Sequence, residues 1–180
     1  SILNGFDDPR REAFFEPCPD DVLLQDRDGR DSVRIPLKGQ YRGIRQGTMF
    51  AHTLYSALSK IYVNVQTKPI LMTAAEVWFL RAEAALRGWT TEDPGICYEQ
   101  GIRCSFSQWQ VPGVETYLQS DCRAADFEDA FTPGNNIKAR CLVTPRWDDA
   151  ASDEMKLERI ITQKWLAVFP EGCEAWAEQL

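Results

Sequence analysis

Histidine occurs once in this sequence, while a paired-cysteine motif, a long apolar run and an excess of basic residues do not occur at all. Each absence removes a class of function. The one histidine, His52, has no serine or cysteine motif near it, and no G-x-S-x-G occurs, so no nucleophile–base set is legible. Six cysteines (Cys18, Cys97, Cys104, Cys122, Cys141, Cys173) include no C-x-x-C, which argues against a structural zinc site. Cys97 and Cys104 fall in one expected helix, roughly 10 Å apart at ~1.5 Å per residue, too far to bridge. Buried thiols are the simplest reading, with a disulfide between the loop residues Cys122 and Cys141 left open. The longest apolar run is about the length of "WLAVF", far short of the roughly 20 residues of a membrane span, and no secretory signal opens the chain. With 20 basic against 27 acidic residues the net charge is −7. That disfavours nucleic acid and anionic membrane surfaces and suits a neutral or cationic ligand, or another protein.

What is present is an ordinary globular composition, 44% hydrophobic and 26% charged over 180 residues. That suits a single domain spanning 1–180 with a real core. Residues 1–68 are loop-rich. Asp28-Gly29 lies between short apolar runs in "VLLQDRDGRDSVRI" and predicts a hairpin, while "MFAHTLYSALSKIYVNV" reads equally as helix or as extended chain. Residues 69–112 form a helix pair. Thr73 and Glu76 make a T-x-x-E capping box, and Gly88 closes the first helix. Glu76, Glu83 and Arg87 share a charged stripe expected to face solvent, with Arg81 pointing away from it. Asp93-Pro94 starts the second helix, which is expected to run to Pro112. Its bulky face of Tyr98, Ile102, Phe106 and Trp109 suits the alanine-rich first helix, and Gly101 permits close approach. The short "WTTED" connection makes the two an antiparallel hairpin.

Residues 113–151 return to irregular chain, with "KARCLVT" alternating as a short strand would. Residues 152–180 hold a second helix pair. Ser152 caps "DEMKLERIITQKWLAVF", whose expected buried stripe is Leu157, Ile160, Ile161, Trp165 and Val168. Pro170 and Gly172 interrupt it before "CEAWAEQL" restarts a helix.

Paired carboxylates at ~5 to 9.5 Å would suggest glycoside hydrolysis, but Glu76 and Glu83 lie about two helical turns apart and each has a structural role. Gly39, Gly43 and Gly47 lack the strand–loop–helix context of a phosphate loop. Six tryptophans are more suggestive, because flat aromatic faces stack on sugar rings. Trp78, Trp109, Trp165 and Trp176 fall at helical positions that packing explains, whereas Trp147 lies in a loop.

Several segments taken together are similar to one family. "PILMTAAEVWFLRAEAALRGW", then "YEQGIRCSFSQW", then "KLERIITQKWLAVFPEGCEAW" resemble the SusD/RagB family of outer-membrane nutrient-binding lipoproteins, and "DDPR" and "YRGIRQG" resemble its earlier stations. The resemblance implies a mainly α fold of tetratricopeptide-like helix pairs carrying long irregular loops. It implies a non-enzymatic protein, lipid-anchored at the cell surface, that captures a glycan or other nutrient for a SusC-like TonB-dependent transporter. The chain departs from the family pattern: "TTEDPG" stands where a glycine-rich stretch is frequent, and the family's N-terminal half and Arg-rich continuation have no counterpart. The expectation is therefore a C-terminal portion of a longer protein whose last helix continues, with a frayed terminal turn and with its lipid anchor outside this chain. No cofactor and no metal site is expected, and no nucleic-acid partner. Ligand-facing residues in this family vary, so none transfers by motif. Loop aromatics and arginines make Tyr41, Arg42, Arg45 and Trp147 the candidates. The alternative is a helical-repeat scaffold that binds a protein or peptide.

Overall fold

The computed structural model describes residues 2–25, 32–44, 55–59 and 69–177. Among them the order is α1 (Ile2–Gly5), α2 (Arg10–Phe14), β1 (Val22–Gln25), β2 (Ser32–Ile35), α3 (Ala74–Leu86), α4 (Pro94–Gln108), α5 (Val114–Leu118), α6 (Asp153–Ala167) and α7 (Gly172–Ala177). Among the described residues the fold is mostly helical, with two short strands. Contacts gather into two compact units. The first comprises Ser1–Pro9, Lys68–Ala125 and Ala139–Leu180; the second comprises Arg10–Thr67 and Asp126–Lys138.

The first unit is built on the α3–α4 hairpin, and local sequence chemistry fixes both ends of each helix. The Thr73 hydroxyl accepts from the Glu76 N–H at 3.0 Å, and the Asp93 carboxylate accepts from the Ile96 N–H at 2.9 Å. Each cap satisfies a donor that the helix leaves orphaned. α3 closes in a Schellman turn: Gly88 takes φ +72°, its N–H reaches the Ala85 carbonyl, and the Trp89 N–H reaches that of Ala84 at 2.9 Å. α4 stops at Gln108, before Pro112, because Gln110 enters the left-handed region and the Val111 N–H returns to the Phe106 carbonyl. Phe79, Ala75 and Ala82 of α3 meet Tyr98, Ile102 and Phe106 of α4 in one buried cluster. Gly101 lies flat against the Phe79 ring. Glu83 pairs with Arg87 as the spacing predicts, but Glu76 does not share their exposure: only 8% of it is accessible.

α6 packs on both α3 and α4, and it is here that the sequence pattern misleads. Ile160 and Val168 are buried as expected, but Leu157 and Ile161 are half-buried and Trp165 is 39% exposed. Arg159, Gln163 and Lys164 are buried in their place. The inner face of α6 meets irregular chain, whose backbone and hydroxyl groups need polar partners. Arg159 donates to the Arg146 carbonyl at 3.1 Å and to that of Met155 at 3.3 Å. The Gln163 amide donates to the Tyr117 hydroxyl at 2.8 Å, and from α4 the Tyr98 hydroxyl donates to the Pro145 carbonyl at 2.7 Å. "KARCLVT" forms no strand. Its alternation is real as burial, with Val143 inside and Leu142 outside, but the Leu142 N–H donates to the Glu158 carboxylate of α6 at 3.2 Å rather than to another strand. The 113–151 segment also contains α5, tied to α4 by Arg103–Glu115 at 2.9 Å.

In the second unit β1 and β2 pair antiparallel, Val22 opposite Ile35, as the hairpin signal predicts. The Asp28-Gly29 pair itself lies outside the described residues, as do His52, most of "MFAHTLYSALSKIYVNV" and the terminal turn 178–180. Cys18, Val22 and Leu37 form a small core. Asp21 fastens it, accepting the N–H groups of Leu37 and Lys38 at 3.0 Å and a side-chain pair from Arg34. Those donors hold its carboxyl below the ordinary 3.8, the Lys38 N–H foremost.

All six cysteines are free thiols. Cys18 and Cys97 are buried, as expected of structural thiols, but Cys122 and Cys173 are exposed. Burial raises the Cys97 and Cys141 pKa, which keeps both thiols protonated and unreactive.

Candidate ligand-binding surface

Two of the sequence candidates, Tyr41 and Arg42, lie in the second unit. The chain reaches them through a turn at Gly39 (φ +78°), with the Cys18 N–H bonded to the Gln40 carbonyl at 2.8 Å. The Arg42 N–H donates to the Ser56 hydroxyl and its carbonyl accepts from the Ser56 N–H, at 2.9 and 3.0 Å. Tyr41 is half-buried, with the Arg11 guanidinium 4.7 Å from its ring centroid. Burial, then the Glu12 carboxylate, pushes its phenol pKa up, with Arg11 opposing. The phenol therefore stays protonated at neutral pH and able to donate a hydrogen bond.

Arg42 has structural work of its own. It donates to the Gln40 side chain at 2.9 Å and to the Glu128 carbonyl at 3.0 Å. The second contact anchors a compact loop that the sequence reading passed over. In that loop one Asp129 oxygen accepts the N–H groups of Phe131 and Thr132, and the other accepts the Asn135 amide at 3.0 Å. Phe127 and Ile137 bridge its base, and Lys138 closes it on Asp126 at 2.5 Å. The signal was available: aspartate before Pro-Gly-Asn-Asn is turn chemistry. Arg45 lies outside the described residues.

Trp147 belongs to the first unit. It is not idle loop surface. The indole is half-buried against Tyr98, with centroids 5.1 Å apart, and its Nε1 donates to Asp149 at 2.9 Å. Gly95 makes room for it, since a Cβ there would lie 2.6 Å from Nε1. The exposed indoles are others. Trp176 is 65% accessible, not covered as its helical position suggested, and Trp89, just past the end of α3, is 74% accessible. In a Schellman turn the residue after the glycine often packs back on the helix, but the Trp89 indole stays exposed. Trp78 instead lies under Arg81, whose guanidinium is 3.8 Å from its ring centroid and pairs with Glu92 of the connecting turn.

An open groove of about 480 Å³ runs between the start of α3 and the end of α4, lined by Ile70, Met72, Thr73, Ala74, Cys104, Ser107 and Gln108. Among the described residues no group of three or more histidine, cysteine or acidic side chains could hold a metal ion, and no helix is long and apolar enough to cross a membrane. Glu83 is paired with Arg87, which supplies no second carboxylate for acid–base work.

Comparison with known proteins bears on this arrangement. The family model described as SusD-like, SusD and RagB outer membrane lipoprotein, matches residues 1–179. A chitin-binding SusD homologue from Flavobacterium johnsoniae is 37% identical over 99% of this chain, with a TM-score of 0.81. A SusD homologue from Bacteroides vulgatus ATCC 8482 is 38% identical over 98% of the chain, with a TM-score of 0.76. A SusD-like protein from Bacteroides thetaiotaomicron VPI-5482 is 36% identical over 99%, with a TM-score of 0.80. This chain spans only 34% of the first two structures and 36% of the third. Among curated proteins none matches.

Proposed function

From the premise that the chain belongs to the SusD-like family of outer-membrane lipoproteins, we propose that the whole protein binds a glycan at the cell surface. It holds the glycan without cleaving it and delivers it to a SusC-like TonB-dependent transporter in the outer membrane. The observation that carries this reading is the likeness, across 99% of the chain, to a homologue that binds chitin.

The chemistry of the chain is in keeping with a neutral polysaccharide. At a net charge of −7, attraction for polyanions is weak. Neutral sugars are held by stacked aromatic faces and by hydrogen bonds from groups that stay in one protonation state. The Tyr41 phenol, whose pKa burial pushes up, is such a group; the Arg42 guanidinium adds N–H donors beside it, and we assign both residues to the ligand-facing surface of the second unit. Trp147 serves the packing of the first unit. A lipid anchor keeps the protein at the membrane.

The test is retention of the intact protein on chitin, cellulose, starch and xylan. Retention on at least one neutral polysaccharide is the expected result. Failure on all of them, with tight binding to peptides, would replace the glycan reading with that of a helical peptide scaffold. Delivery is tested separately, by co-purification with a SusC-like transporter expressed in the same cell. A transporter that never co-purifies removes that half.

A further inference from the structure

Resting on the glycan reading, we propose that Trp89 and the residues flanking it form a preorganised stacking site for one neutral pyranose, at the α3–α4 turn of the first unit. Four observations converge there. The indole is 74% accessible, although it is the largest side-chain type and sits on one of the most regular parts of the fold. Its backbone is held by the Schellman turn, the Trp89 N–H on the Ala84 carbonyl at 2.9 Å and Gly88 in the left-handed region. Little backbone ordering therefore remains to oppose binding. The Arg87 guanidinium lies over one face of the indole, 5.6 Å from its centroid, and is itself held by Glu83 at 2.7 Å, so a fixed polar group backs the ring and the opposite face is left for the sugar. The exposed threonines 90 and 91 follow directly.

The composition of this corner selects its ligand class. A flat aromatic face bordered by donors and acceptors matches a pyranose, which presents a C–H face and a rim of hydroxyls. A purely apolar partner would desolvate Arg87, Glu83 and the threonines without replacing their hydrogen bonds. The charges are already matched, Arg87 with Glu83 and Arg81 with Glu92. Among the described residues flanking Trp89 no surplus cation is present to attract a uronate, and the site takes a neutral sugar. Trp176 has exposure but no comparable border of paired charges among its neighbours in sequence.

The experiment is affinity electrophoresis of the intact protein through gels containing soluble glycol-chitin, xyloglucan or polygalacturonate, with thermal melting to check folding. Wild-type protein should be retarded by a neutral glycan. Trp89→Ala should weaken that retardation about tenfold, the size expected of one aromatic stacking contact. Trp89→Tyr should recover part of it, and Trp176→Ala should leave it unchanged. Retardation of Trp89→Ala equal to wild type overturns the stacking site and leaves the glycan reading intact, as does equal weakening by Trp176→Ala. Stronger retardation by polygalacturonate than by either neutral glycan overturns the ligand class. No retardation of the wild type by any glycan removes the glycan reading and the site together.

Discussion

At Gly101 an added methyl would lie 2.7 Å from two carbons of the Phe79 ring, and neither partner can retreat, since both are buried in the centre of the first unit. Overfilling a packed core costs about 1–3 kcal/mol. Gly101→Ala should therefore lower the unfolding free energy by an amount in that range, read as a lower urea midpoint with the slope of the transition unchanged. That requirement was legible in the sequence, because a glycine among Tyr98, Ile102 and Phe106 on a helical face implies a close neighbour. The buried Arg159, Gln163 and Lys164 of α6 were not legible. Periodicity assigns such residues to solvent, and Arg159 and Gln163 are drawn inward by the Arg146 carbonyl and the Tyr117 hydroxyl, groups outside the helix that its own pattern cannot display. The packing of Trp147 was not legible either: its loop position hid the ring of Tyr98 and the space left by Gly95.

Elements were more readable than the side chains that lie between them. Helices α3, α4 and α6 all begin at the caps the sequence announces, Thr73, Asp93 and Ser152. Asp93→Ala should cost about 1 kcal/mol, the usual loss of an N-cap, read as a lower melting temperature and as faster amide exchange in the first turn of α4. The ion pairs that tie elements together set a pH dependence. Hydrogen bonds from Arg81 and Arg103 hold the Glu92 and Glu115 carboxyls below their ordinary 4.5. Because the folded chain binds those protons less readily than the unfolded one, this stabilisation is complete above 4.5 and is lost as pH falls through the lower, folded values. Glu115 is exposed and Glu92 half-buried, so the effect is small and screened by salt. Melting temperature should decline below pH 4.5, and Arg103→Gln should flatten that part of the profile; an unchanged profile would mean the pairs contribute nothing. Short, weakly patterned pieces were the ones misread, namely α5 and the extended "KARCLVT", since neither carries a cap or a period that local sequence can display.

On the scale of the whole molecule, the two compact units differ in what holds each together. Among the described residues the first has a cluster of thirteen buried residues, the second a core of Cys18, Val22 and Leu37. Amide exchange should accordingly be slowest in α3, α4 and α6 and faster by orders of magnitude in β1 and β2. Equal protection in both would contradict this. The mainly helical architecture and the family could be read from ordered segments of sequence, whereas a ligand surface made of loop side chains could be named only residue by residue, and Trp89 was overlooked because a helix-ending motif looked purely structural. The way the irregular chain after α5 is held has a further consequence. Tyr98 and Arg159 grip the carbonyls of Pro145 and Arg146, groups that every amino acid carries. An attachment of that kind is blind to side-chain identity, so the outward-facing residues of the loop can be exchanged while its seat remains the same. Such a scaffold allows new recognition surfaces to evolve by substitution alone, with the helical frame left untouched.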